Sequence, residues 1–149
     1  MTETPGLSTE PVAPMSHTKS AGSALVAEVQ LRLPADSAYV AVLRSVTAGL
    51  AARCDLTLDE IEDLRIAIDE ACALLLPLAQ SGASLLTTFE LTTGRLIAHS
   101  RVSTRPGAQL GRDGFGWTVL DALTSRVDVT EAESELSISL TKERGEIPQ

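Results

Sequence analysis

Six apolar residues recur at intervals of three and four along one stretch of this chain: Ile61, Leu64, Ile68, Ala71, Leu75 and Leu78. That spacing draws a continuous apolar stripe along one side of an α-helix, and a helix striped this way has to bury it against another layer. Thr57 or Asp59 can open the helix, and Pro77 should kink or end it. Upstream, Val29-Gln30-Leu31-Arg32-Leu33 alternates with the period of a half-buried strand, which Pro34 ends. Asp36 or Ser37 can cap another helix. One of its faces carries Val40, Leu43, Val46 or Thr47, and Leu50; the other carries Arg44 and Arg53.

Downstream of the striped helix, two strands are expected over residues 84–91 and 95–102. In the first, Leu85, Thr87, Phe89 and Leu91 share a face, and Leu86, Thr88 and Glu90 take the other. Thr92-Thr93-Gly94 is short enough to join the two strands as a hairpin. A glycine-bearing loop follows, then a third helix over 117–126 and a last alternating strand over 136–140. The order is strand, helix, helix, strand, strand, helix, strand. Helices and strands do not alternate one for one, so a doubly wound parallel sheet is disfavoured. The expected fold is an α+β two-layer sandwich: a mostly antiparallel mixed sheet with helices on one face.

A length of 149 residues suits a single domain, and a hydrophobic fraction of 44% can supply its core. Aromatic residues make up only 3%, so Leu, Val, Ile and Ala must build that core. Residues 1–25 hold Pro5, Pro11 and Pro14 among Thr, Ser and Gly with no apolar period, and are expected to form a disordered tail. The domain is expected over 26–142, with a frayed end at 143–149.

The formal charge of −8 repels phosphate backbones. Direct nucleic-acid and anionic-membrane binding are therefore disfavoured, and a basic protein partner is favoured. No apolar stretch reaches the length of a membrane span, and the first residues lack the basic and apolar regions of a signal peptide. Cys54 and Cys72 lack CxxC spacing, which points to a reducing interior rather than to a disulfide or zinc framework. The chain is expected in the cytoplasm. Cys72 reads as a small core residue, Cys54 as half exposed, and Trp117 as the core anchor of the third helix. His17 and His99 have no metal-ligand partner at a suitable spacing.

Two stretches carry chemistry. Asp69-Glu70-Ala71-Cys72 lies on the striped helix. Gly114-Phe115-Gly116-Trp117-Thr118-Val119-Leu120 opens the third helix, whose free N–H groups can face an anion. In this order and spacing the pair resembles the bacterial anti-sigma factors of the RsbW type, in the Bergerat-fold (GHKL) ATPase superfamily with the histidine kinases. The resemblance covers about residues 27–142.

In such proteins the helix carries Glu-x-x-x-Asn, the Glu acting as general base and the Asn holding Mg²⁺ beside the phosphates of ATP. Glu70 matches the Glu, but the Asn position is Leu74, which has no oxygen to offer a hard cation. The family's adenine-binding Asp-x-Gly-x-Gly is also absent. Residues 99–107 hold no Asp and one glycine, Gly107.

The resemblance implies an anti-sigma factor that sequesters a sigma factor. It further implies an antagonist of the anti-anti-sigma (STAS) class, and a homodimer that uses its sheet and first helix as contact surfaces. Ser37, Arg44 and Thr47 are the candidate contacts on the outward face of that helix. The alternative is an ATP- and Mg²⁺-dependent serine/threonine kinase acting on the antagonist. There Glu70 would be the general base, Gly114 and Gly116 would cradle phosphate, and Asp113 could stand in for the missing ligand.

Overall fold

The computed structural model describes residues 25–145. The expected tail lies outside the described residues except for Leu25, which opens strand β1 (Leu25–Pro34). A single 3-10 turn, Ser37–Tyr39, leads into helix α1 (Val40–Arg53). Asp36 caps that turn by accepting the Ala38 N–H at 2.8 Å.

Helix α2 (Leu58–Leu75) is the striped helix, and the six side chains it buries include Leu64, Ile68, Ala71 and Leu75. It begins in a capping box. The Thr57 hydroxyl accepts the Glu60 N–H at 3.2 Å, and the Glu60 carboxylate accepts the Thr57 N–H at 2.8 Å. Past Leu75 the chain tightens into the 3-10 turn Leu76–Leu78, because Pro77 has no N–H with which to continue the α-helical ladder. Thr57→Ala is expected to cost about 1 kcal/mol, read as a lower urea midpoint at unchanged slope.

The sheet contains β1, β2 (Ser84–Thr92), β3 (Arg95–Ser103), β4 (Arg126–Ala132) and β5 (Glu135–Glu143). Helix α3 (Phe115–Leu123) stands between β3 and β4. The strand order is β1-β2-β3-β5-β4 and every neighbouring pair is antiparallel. The helices cover one face, and the side chains turned toward them form the core, among them Leu85, Phe89, Leu96, Ile138 and Leu140. The opposite face, with Gln30, Thr88, His99 and Ser139, is polar and uncovered.

The expected order lacks β4. Helix α3 stops at Leu123, and Arg126, expected in the helix, begins a strand instead. Val127, Val129 and Thr130 are β-branched, and Val127 and Val129 share the half-buried face, so this stretch takes the strand period. Thr124 closes the helix, its hydroxyl donating to the Leu120 carbonyl at 2.6 Å.

The frayed end expected from 143 begins later. Glu143 pairs with Arg95 in the β3–β5 ladder, and the Gly145 N–H donates to Glu60 at 2.7 Å. Residues 146–149 lie outside the described residues. Glu60 is partly desolvated, which acts to raise its pKa. The N–H donors of Gly145 and Thr57, the Thr57 hydroxyl and the nearby Lys142 charge more than offset this and hold it below the ordinary carboxylate value. The stability this carboxylate contributes is present above its unfolded pKa and is lost as pH falls through the folded one.

Candidate functional site

Glu70 and Leu74 lie one turn apart on α2, on the side that faces α3. The chain reaches α3 through the loop after β3, which is tied at both ends. Near its start the Thr104 N–H donates to the Ser134 carbonyl and the Arg105 N–H to the Leu78 carbonyl, both at 3.0 Å. The Arg105 guanidinium also donates to the Pro77 carbonyl. Near its end the Trp117 indole N–H donates to the Gly111 carbonyl at 2.7 Å, and the Arg112 guanidinium sits over the indole ring, 5.8 Å from its centre. Between these ties Leu110 is buried.

Gly114, at φ +118°, is the last residue before α3 and takes a conformation closed to most L side chains. Gly116 is packed against α2. A side chain there would begin 2.9 Å from the Glu70 Oε1 atom and 3.7 Å from a Leu74 methyl. The two stretches singled out in the sequence therefore meet in space.

No family model matches the chain. It is similar to the serine-protein kinases RsbW of Bacillus thuringiensis, Bacillus cereus and Bacillus anthracis. Each is 27% identical, over 77% of this chain and 84% of the relative. Its fold is similar to the crystal structure of the RsbU and RsbW domains of Rv1364c from Mycobacterium tuberculosis. That match has a TM-score of 0.63 and 15% identity, and covers 79% of this chain and 32% of the other, so this chain spans about a third of that one. In sequence the chain resembles RsbW proteins, and its fold is similar to that of an RsbW domain.

The donor set at these residues does not fit Mg²⁺ and ATP. Leu74 offers only methyl groups at the position that the resemblance gives to a metal-ligating Asn. Among the described residues, no three His, Cys, Asp or Glu side chains gather where they could hold a metal. Gly116 lies against Glu70, whose carboxylate would repel a phosphate lacking a cation to neutralise it. Asp113 is exposed in the loop, and Gly114 occupies the cap position of α3.

The partner-contact candidates separate. Ser37 is exposed. The Arg44 Nε donates to the Asp69 carboxylate at 3.0 Å, bridging α1 to α2. Thr47 does not lie on the outward face as expected. It is fully buried, and its hydroxyl donates to the Leu43 carbonyl at 2.8 Å, one turn back, which lets a polar residue sit in the core. Ser37 and Arg44 instead line a groove of about 510 Å³ with Val40, Asp69, Cys72 and Pro77. The sequence reading missed this groove, although Asp69, Cys72 and Leu76 recur at helical spacing.

Cys54, expected half exposed, is buried at the end of α1. Burial raises its thiol pKa, a backbone hydrogen bond at Thr92 opposes the rise, and the Asp55 charge adds to it. The Cys72 thiol is pushed up to about 12 by burial and by Asp69, against the Arg44 charge. Burial thus disfavours the thiolate form of both side chains. Trp117 is half-buried against the core rather than within it, and its N–H pins the loop.

The polar face of the sheet was also missed. There His99 bridges β2 and β5, with one ring nitrogen 3.0 Å from Glu90 and the other 2.7 Å from Ser139. The alternation of strands 84–91 and 95–102 carried this signal, since it puts Glu90 and His99 on the face turned away from the core.

Proposed function

We propose that this chain is an anti-sigma factor that holds an RNA polymerase sigma factor by protein contact alone and is released by a STAS-domain antagonist. The observation that supports this reading is Gly116 packed against Glu70 and Leu74, a leucine at the position that the resemblance gives to the metal-ligating Asn. A nucleotide-independent grip leaves competition for the sigma-binding surface as the means of release. The net charge of −8 suits a basic, nucleic-acid-binding partner. Ser37 and Arg44 offer a contact surface beside the groove between α1 and α2. The working form in this reading is a cytoplasmic homodimer.

The kinase alternative draws on Glu70 and on the names of the Bacillus relatives. One pair of experiments separates the two readings. Calorimetric titration with Mg²⁺ and ATP is expected to give no saturable heat up to millimolar nucleotide, while the chain still co-purifies with a sigma factor. Saturable heat, together with transfer of labelled γ-phosphate to the antagonist that Glu70→Gln abolishes, would replace this reading with the kinase. Failure to capture a sigma factor would overturn the sequestration reading.

A further inference from the structure

Helix α3 carries none of the end charges that stabilise a helix. Its N-cap is Gly114, with no side-chain cap; no acidic residue stands in its first turn and no basic residue in its last. At nine residues it is too short to hold itself as a helix. The loop before it closes on the helix, through the Trp117–Gly111 bond and Arg112 over the indole. Among the described residues, one side-chain tie runs from residues 106–122 to the sheet or to another helix. It is the exposed Arg112–Glu131 ion pair at 3.8 Å.

The charges at the ends of α3 come instead from other elements. At the C-terminal end the Lys142 ammonium donates to the Leu123 carbonyl at 2.8 Å and to the Asp63 carboxylate at 3.1 Å. Lys142 follows Leu136, Ile138 and Leu140 in alternation on β5, so it stands in the row that faces the helices, and only 12% of its side chain is exposed. At the N-terminal end lies Glu70, with its Oε1 atom 2.9 Å from where a side chain on Gly116 would begin. Glu70 forms no ion pair among the described residues. Asp63 and Glu70 are seven residues apart on α2, and Gly116 and Leu123 are seven apart on α3. Both spans come to about 10 Å, so the two helices run antiparallel with these ends in step.

We propose that α3 is held on α2 by a two-ended electrostatic clamp, with the Glu70 carboxylate at its N-terminus and the Lys142 ammonium at its C-terminus. A helix N-terminus favours a negative charge and its C-terminus a positive one. Glu70 supplies from within the chain the anion that the uncapped N–H groups of α3 favour, so α3 seats without a ligand. Its part is to position α3 rather than to take a proton. Asp63 holds the ammonium in place and offsets the cost of burying it. This deepens the nucleotide-independent reading of the proposed function.

The test is hydrogen exchange on the full chain without nucleotide, comparing α3 amides with those of β2 and β3, alongside acrylamide quenching of Trp117, the sole tryptophan. Glu70→Gln keeps the size and removes the charge. It is expected to speed exchange in α3 about three- to tenfold and to make Trp117 easier to quench, with β2 and β3 unchanged. Lys142→Met is expected to act the same way from the other end. Combined with Asp63→Asn it strands no charge, so that end stays readable if the single variant unfolds. Raising salt from about 0.1 to about 0.5 M should speed α3 exchange more in the wild type than in Glu70→Gln, which packing alone would not do. Exchange in α3 that is the same in the wild type and in Glu70→Gln would overturn the clamp. Adding Mg²⁺ and ATP to the wild type should change nothing. A change in α3 exchange on adding them would overturn the nucleotide-independent reading, while the nucleotide-free comparison still decides the clamp.

Discussion

Phe89→Ala is expected to lower the unfolding free energy by about 3–5 kcal/mol, the largest single effect in this protein. Phe89 is fully buried and is the largest such side chain. It lies on β2 between Val29 of β1 and Ala98 of β3, on the face that the helices cover. Its neighbours across the strands are small or β-branched and are held by ladder hydrogen bonds, so they cannot close the space a missing ring would leave. With aromatics at 3% of the chain, no other ring stands ready to fill it. A loss of that size consumes much of the roughly 5–15 kcal/mol by which a domain is stable. Urea unfolding of the variant checks the value. A loss below about 1 kcal/mol would mean that the sheet collapses onto the cavity, contrary to the rigid packing argued here.

Leu74→Asn is expected to destabilise the fold by about 1–3 kcal/mol without restoring nucleotide binding. The variant recreates the side chain that the resemblance places beside the metal, so it directly challenges the proposed nucleotide independence. Leu74 is half-buried, and its methyl groups sit 3.7–3.8 Å from where a side chain on Gly116 would begin. An amide there gives up water for the packed face of Gly116, with the Glu70 carboxylate as an acceptor beside it. Nor would one oxygen open the site, because residues 99–107 still lack an Asp and Gly116 still abuts Glu70. The melting temperature of the variant should fall, and Mg²⁺ with ATP should not raise it. A nucleotide-dependent rise would show that Leu74 alone closes the site and would reopen the kinase reading.

Much of the fold was legible because its signals are local. The stripe from Ile61 to Leu78 names the buried side of α2 through helical period alone, and the alternation Leu85, Thr87, Phe89, Leu91 names the inner face of β2. Thr57 and Pro77 bracket the helix through their own backbone chemistry. The strand β4 was hidden because it follows α3 closely and its pattern is short. There two valines in alternation decided the structure against a helix that could have run on.

The site was legible as two stretches, Asp69 to Cys72 and Gly114 to Leu120, and the missing oxygen at Leu74 could be read directly. That Gly116 is pressed against Glu70 could not be read, because it depends on how α3 is docked on α2, more than forty residues away in the chain. Thr47 and Cys54 show the same limit. A hydroxyl that can donate to its own helix, and a thiol at a helix end, are equally compatible with water and with a core. Only the layer packed over them decided that both are buried.

The sequence by itself determined the two-layer α+β fold, the inner faces of α2 and β2, and a leucine at the position that the resemblance gives to a metal ligand, since periodicity and side-chain chemistry need only neighbours along the chain. The tertiary structure decided which of the described strands are edges and that Gly116 of α3 packs against Glu70 of α2. Those are distances between segments remote in sequence, and they are set by the packing of whole elements against one another.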